Sequence, residues 1–209
     1  MEPVNAASAP RLRARLSLLL LLALFATPVV LAWLAFYVFP EWRPSATANH
    51  GELIEPLRPI PPFQLEAYGG EDIDESFLRG KWTLVYLMEG ACTEGCVEHL
   101  YRLRQVRLAQ GKNIDRLQRL ILWNAAGVSR AKQAELDRHF PGQVLLALEG
   151  REPRALLDAF ALDGREPLHA GRMYLVDPLG NLMMSYEADA DPGGMIKDLE
   201  RLLKYSGLG

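Results

Sequence analysis

Two cysteines, Cys92 and Cys96, are the whole thiol complement of the 209-residue chain, and both lie in one Cys-Thr-Glu-Gly-Cys segment. Thiols this close cannot staple distant parts of a fold, so the pair asks for a chemical explanation. The near-continuous apolar run Thr83 to Met88 precedes it. Val97, Leu100, Tyr101, Leu103, Arg104 and Leu108 follow it at helical spacing. The cysteines are therefore predicted at a strand-to-helix corner. There a thiol feels the positive end of the peptide dipoles and the unpaired N–H groups of the first turn. Its pKa falls, and the thiolate is the form that attacks disulfides or binds metal. Residues four apart on a helical turn have Cα atoms ~6 Å apart. That lies inside the ~4.4–6.8 Å span that a disulfide accepts. Disulfide cycling and joint binding of one soft metal are both within reach. The bland alternatives are a fixed local disulfide or two inert buried thiols, and the corner position in an exported protein argues against inert thiols.

Four histidines are candidates for a third metal ligand. His50 falls in a proline-rich stretch and is expected to be solvated. His139 ends a predicted helix, where a cation suits the dipole. His99 lies three residues after Cys96 on the same predicted helix; it faces the site or the solvent with equal weight. His169 precedes a predicted strand, and in open α/β sheets the loops at strand ends converge on the site. By spacing alone a satisfied or exposed histidine is the favoured reading of His169. Met183-Met184 reads as a packed sheet face rather than a copper-binding pair. Glu89 and Glu94 flank the cysteines and could raise their pKa.

The elements that must position these groups alternate. Strands are predicted at 63–65, 83–88, 120–123, 144–148 and 173–176, with a hairpin partner at 181–186 across the Asp177-Pro178-Leu179-Gly180 turn. Helices are predicted from Val97 to the stop at Gly111, over 130–140, over 153–160 and over 194–205. Such a pattern describes an α/β sandwich of thioredoxin type.

Ahead of it, residues 16–39 form 24 consecutive apolar or small residues without a charged side chain. At ~1.5 Å per residue this run spans a hydrocarbon core of ~30 Å. Arg11, Arg13 and Arg15 precede it, which places residues 1–15 in the cytoplasm and the rest across the membrane. A cleaved signal peptide, with a small-residue site at Ala46-Thr47-Ala48, is the rival; its apolar core would run about 7–15 residues, and this one is longer. Residues 40–62, with Pro40, Pro44, Pro56, Pro59, Pro61 and Pro62, read as a spacer with little regular structure. The domain is expected over 63–209.

Composition is ordinary for a globular chain, with 49% apolar and 23% charged residues. Formal net charge is -3; setting aside Glu2 and the three arginines leaves 20 basic and 25 acidic residues, a balance of -5 for the exported part. With no basic field to hold phosphates, nucleic acid is excluded as a partner class.

Two stretches carry a family resemblance. Leu78 to Leu100, LRGKWTLVYLMEGACTEGCVEHL, and His169 to Glu187, HAGRMYLVDPLGNLMMSYE, resemble the Sco/SenC family of cytochrome oxidase assembly proteins. In that family a membrane-anchored thioredoxin-like domain binds copper through a C-x-x-x-C pair and a distant histidine. The histidine stands five residues before the aromatic of a Tyr-Leu-Val-Asp-Pro segment, an interval that His169 and Tyr174 keep. The chain departs from the family at Thr93 and Val97, where proline usually follows each cysteine, and at 124–127, which replace an Asp-Pro-containing stretch. The resemblance implies a Sco-like thioredoxin sandwich with an N-terminal transmembrane helix, in which Cys92, Cys96 and His169 bind copper. It implies a role in assembling the copper centre of a respiratory oxidase, with an oxidase subunit carrying that centre as partner. The implied location is a bacterial inner membrane, crossed once, with the domain in the periplasm. The alternative is a periplasmic thiol-disulfide oxidoreductase that uses Cys92 to attack and Cys96 to resolve, without copper.

Overall fold

The apolar runs do become strands, and the reason is burial on both faces. In the computed structural model, which describes residues 9–38, 49–148 and 154–207, two units stand out: residues 1–48 and residues 49–209. The first is helix α1 (Ala9–Tyr37). Its stretch Arg13–Tyr37 is long and apolar enough to cross a membrane. Pro28 sits inside it, and Thr27 donates to the Ala23 carbonyl at 2.6 Å. The small-residue signal motif at 46–48 lies outside the described residues.

The second unit holds, in chain order, β1 (Glu52–Pro59), β2 (Gln64–Glu66), β3 (Asp72–Asp74), β4 (Trp82–Glu89), α2 (Glu94–Ala109), β5 (Leu117–Asn124), α3 (Arg130–His139), β6 (Val144–Ala147), α4 (Arg154–Phe160), β7 (Met173–Val176), β8 (Asn181–Tyr186) and α5 (Pro192–Tyr205). Six strands form one sheet in the order β1-β8-β7-β4-β5-β6, and β2 pairs with β3 apart from it. The β4–β5 and β5–β6 pairs are parallel; β4–β7, β7–β8 and β1–β8 are antiparallel. Side-chain alternation sorts β4 onto two cores. Trp82, Leu84, Tyr86 and Met88 pack with Leu100, Leu103 and Val106 of α2 and Met195, Leu199 and Leu203 of α5. Val85 and Leu87 pack on the other face with Leu156, Leu157 and Phe160 of α4. This is the predicted thioredoxin-like sandwich, with the sheet between helices.

The spacer expected over 40–62 departs from this structure. Residues 40–48 lie outside the described part, but Glu52–Pro59 is strand β1, paired with β8. Two prolines obscured it. They are tolerated because β1 is an edge strand, where an absent N–H leaves no ladder bond unmade. The register shifts between Leu53 and Arg58, the segment that contains Pro56. Ile54 is buried and Arg58 Nη1 donates to the Ala159 and Ala161 carbonyls at 2.9 Å each, at the C-terminal end of α4.

The start of this unit is also tied down. Asp198 of α5, buried, accepts from the backbone N–H of His50 at 2.8 Å and of Gly51 at 2.9 Å. His50 Nδ1 lies 3.1 Å from the same carboxylate, and the Tyr186 hydroxyl donates to it at 3.3 Å. His50 is exposed, as expected, and also partners a buried acid.

Candidate functional site

The cysteines lie where β4 hands over to α2, as their spacing predicted. Gly90, at φ +64, makes the first bend after the strand, a backbone conformation that side-chain-bearing residues rarely adopt. The bend is held from β5: the Gly90 N–H donates to the Asn124 carbonyl at 2.8 Å, and Trp123 Nε1 donates to the Gly90 carbonyl at 2.9 Å. Cys92 then precedes Thr93, the N-cap of α2, and Cys96 lies in the first turn. The Thr93 side chain makes no capping hydrogen bond, so it leaves the dipole end of α2 uncovered.

Cys92 and Cys96 are joined by a disulfide, with Cα atoms 5.2 Å apart. Both are half-buried, while Ala91, Thr93, Glu94 and Gly95 between and around them are exposed. Beneath the pair, the Cys96 sulfur lies 3.4 Å from the Met88 sulfur. Beside it opens a cavity of about 390 Å³, lined by Cys92, Val97, Trp123, Val128, Leu136 and Phe140, with Lys132, Glu135 and His139 at its edge. The disulfide is thus reachable from solvent on one side and backed by sulfur and apolar surface on the other.

The histidines fall in four different settings. His99 does not face the cysteines. Its Nε2 lies 3.0 Å from the Ala188 carbonyl and its Nδ1 3.0 Å from the Tyr86 hydroxyl. A carbonyl only accepts, so Nε2 carries the proton and Nδ1 accepts from Tyr86. Arg102 Nη1 donates to the same Ala188 carbonyl at 2.8 Å, so α2 grips the loop after β8. His139 Nδ1 lies 3.1 Å from the Glu135 carbonyl at the end of α3. His169 pairs through Nε2 with Glu89 Oε2 at 2.8 Å, and its side chain is 69% exposed. Glu89 also accepts from Asn124 Nδ2 at 3.0 Å. The loop carrying His169 is anchored by Arg172, whose buried guanidinium pairs with Asp163 at 2.9 Å and with Glu187. Those two carboxylates hold the guanidinium above its usual pKa against the opposing effect of burial.

His169 therefore reaches the corner region through Glu89, the last residue of β4. Among the described residues no group of three or more His, Cys, Asp or Glu is gathered for a metal. The donors that do meet are sulfurs: Cys92, Cys96 and Met88. Met88 was missed in the sequence because a methionine ending an apolar strand reads as core. Met184 is buried in β8 as expected of a packed sheet face.

Known proteins place this architecture. Residues 82–206 match the family described as "Transmembrane-like, thioredoxin-like, C-terminal domain". Among proteins of curated function, none matches this chain in sequence. Among solved structures, yeast Sco1 aligns with a TM-score of 0.59 at 23% identity, covering 73% of this chain and 98% of that one. ScoI of Bradyrhizobium japonicum with copper bound aligns with a TM-score of 0.56 at 22% identity, covering 68% and 97%. The thioredoxin domain of a thiol-disulfide oxidoreductase from Bacteroides vulgatus aligns with a TM-score of 0.52 at 14% identity, covering 69% and 95%. These likenesses establish a thioredoxin-like fold of the Sco kind. With its apolar N-terminal helix and a match over residues 82–206, the chain belongs to the transmembrane-like, thioredoxin-like C-terminal domain family.

Proposed function

We propose that this protein is a membrane-anchored, Sco-like thiol–disulfide exchange factor that serves assembly of a respiratory oxidase's copper centre. The observation that carries the reading is the half-exposed Cys92–Cys96 disulfide at the uncapped N-terminus of α2, beside an apolar cavity. In the reduced form the Cys92 thiolate attacks a partner disulfide and forms a mixed disulfide, releasing one partner thiolate. The Cys96 thiolate then attacks the Cys92 sulfur and releases the second. Two electrons pass to the partner, whose cysteines become able to take copper, and the Cys92–Cys96 disulfide is left behind. An exported dithiol reductant resets it. Helix α1 supports an anchor, Arg11, Arg13 and Arg15 before its span support a domain on the far side from the cytoplasm, and the Sco-like fold supports a bacterial inner membrane with that domain in the periplasm.

Copper binding by the reduced pair is a second reading. It is supported by the copper-bound Sco structures that share the fold and by the softness of two thiolates. In this reading the residues holding the ion are Cys92 and Cys96, with His169 as the histidine that the family pattern matches. Copper would be cargo passed to the oxidase.

A redox titration of the full chain tests the first reading. A catalytic pair has a reduction potential well above the ~-300 mV below which structural disulfides lie. A potential below that value makes the disulfide structural. Copper stoichiometry of the reduced chain tests the second.

A further inference from the structure

We propose that Met88 supplies the third donor for a soft monovalent ion, Cu(I), held by the reduced Cys92 and Cys96 thiolates. This rests on the copper reading above for the cysteine pair and puts Met88 in the place that reading gives His169. Met88 is the residue whose sulfur already touches the pair, 3.4 Å from Cys96 Sγ. Two sulfurs on one ion, each bonded at about 2.3 Å, can lie no more than about 4.6 Å apart, so this separation suits a shared ion. Strand pleating makes the position firm. Met88 shares the β4 face of Trp82, Leu84 and Tyr86, and Cys92 and Cys96 pack against that same cluster. Glu89, one residue on, has the opposite parity, and it is Glu89 that holds His169.

Of the histidines, His99 has both ring nitrogens bonded, His50 and His139 bond away from the corner through Nδ1, and His169 holds Glu89 through Nε2 in an exposed pair. A thioether has no proton to lose and no ion pair to break. Two thiolates and one thioether form an all-sulfur set, the kind that selects Cu(I). Binding releases two thiol protons and changes no oxidation state. Packing does not by itself require sulfur here, because the rest of that β4 face is Trp, Leu and Tyr.

The test uses the full-length chain in detergent, labelled with selenomethionine, reduced and loaded with Cu(I) against a competing chelator. Copper-edge X-ray absorption is expected to show a Cu–Se shell that disappears in Met88→Leu. Cu(I) affinity in that variant is expected to fall at least about tenfold, the low end of what changes around a bound metal produce. Two titratable thiols and disulfide re-formation are expected unchanged. A Cu–N shell without Cu–Se overturns the proposal, as does wild-type affinity in Met88→Leu with loss in His169→Ala. If the reduced wild type holds no copper, the copper reading fails and this proposal with it, while thiol exchange stands. Should Met88→Leu not fold, the presence or absence of Cu–Se in the wild type decides.

Discussion

The Tyr86 hydroxyl donates to His99 Nδ1 over 3.0 Å, joining the strand that leads into the cysteines to the helix that follows them. The two rings meet edge to face at 5.2 Å. Burial pushes the Tyr86 phenol from 10.0 up to about 12, and the Tyr174 phenol likewise to about 12. A raised pKa means the folded state holds the proton more tightly than the unfolded state. The associated stability is full below pH 10 and is lost as pH rises toward about 12. For Tyr86 this is worth about 3 kcal/mol. Denaturant unfolding of the oxidised chain should show stability falling through that window. Tyr86→Phe should be about 1 kcal/mol less stable at pH 8, from the lost hydrogen bond. That deficit should shrink and then reverse toward pH 12; a constant difference across the range would contradict the assignment.

Asp198 is a buried acid with four donors around it, from His50, Gly51 and Tyr186. Asp198→Ala leaves the His50 and Gly51 N–H groups without their acceptor, a loss of about 3 kcal/mol. Gly51 admits no side chain either: an added Cβ would lie 2.6 Å from Met184 Sδ and from Tyr186 Cε1. Gly51→Ala should lower stability by about 1–3 kcal/mol through overpacking. Both variants should show faster protease cleavage near residue 50; unchanged cleavage would mean β1 does not depend on this contact.

Cys92→Ser should abolish reduction of a disulfide substrate by the reduced chain, and Cys96→Ser should stall it as a mixed disulfide on Cys92. The closed loop is so short that chain entropy contributes no more than about 2 kcal/mol. Melting of both variants should therefore remain cooperative at neutral pH. Collapse of the fold in both would identify the bond as structural.

The His169–Glu89 pair is exposed, 69% and 37% at its two side chains. Such pairs contribute about 0–1 kcal/mol. His169→Ala and Glu89→Gln should shift the unfolding midpoint little and leave thiol exchange at wild-type rate. A large loss of exchange in His169→Ala would give that imidazole a part in thiol activation.

Topology is open to a direct check. A reporter active only outside the cytoplasm, fused after Gly209, should work, and the full-length chain should stay in membranes through an alkaline wash. A soluble product beginning near Asn49 would show cleavage instead of anchoring.

Much of this molecule was legible as one-dimensional pattern. The doubly covered strands β4, β5 and β7, the helices α2, α3 and α5 and the cysteine corner each follow from local periodicity, caps and turn residues. Physical chemistry acting over ten residues decides them. The apolar span of α1 is legible for the same reason. What tertiary structure alone decided involves partners distant in the chain. Edge strand β1 carries prolines that hide its alternation, and only pairing with β8 and the Asp198 contact, 148 residues from His50, make it a strand. His99 and His169 look alike as lone histidines. Their roles were set by Tyr86 and Ala188 in one case and by Glu89 in the other, none of which spacing could name. Met88 reads as core because its burial is real; that its sulfur meets Cys96 depends on where the bend at Gly90 returns the chain over the end of β4.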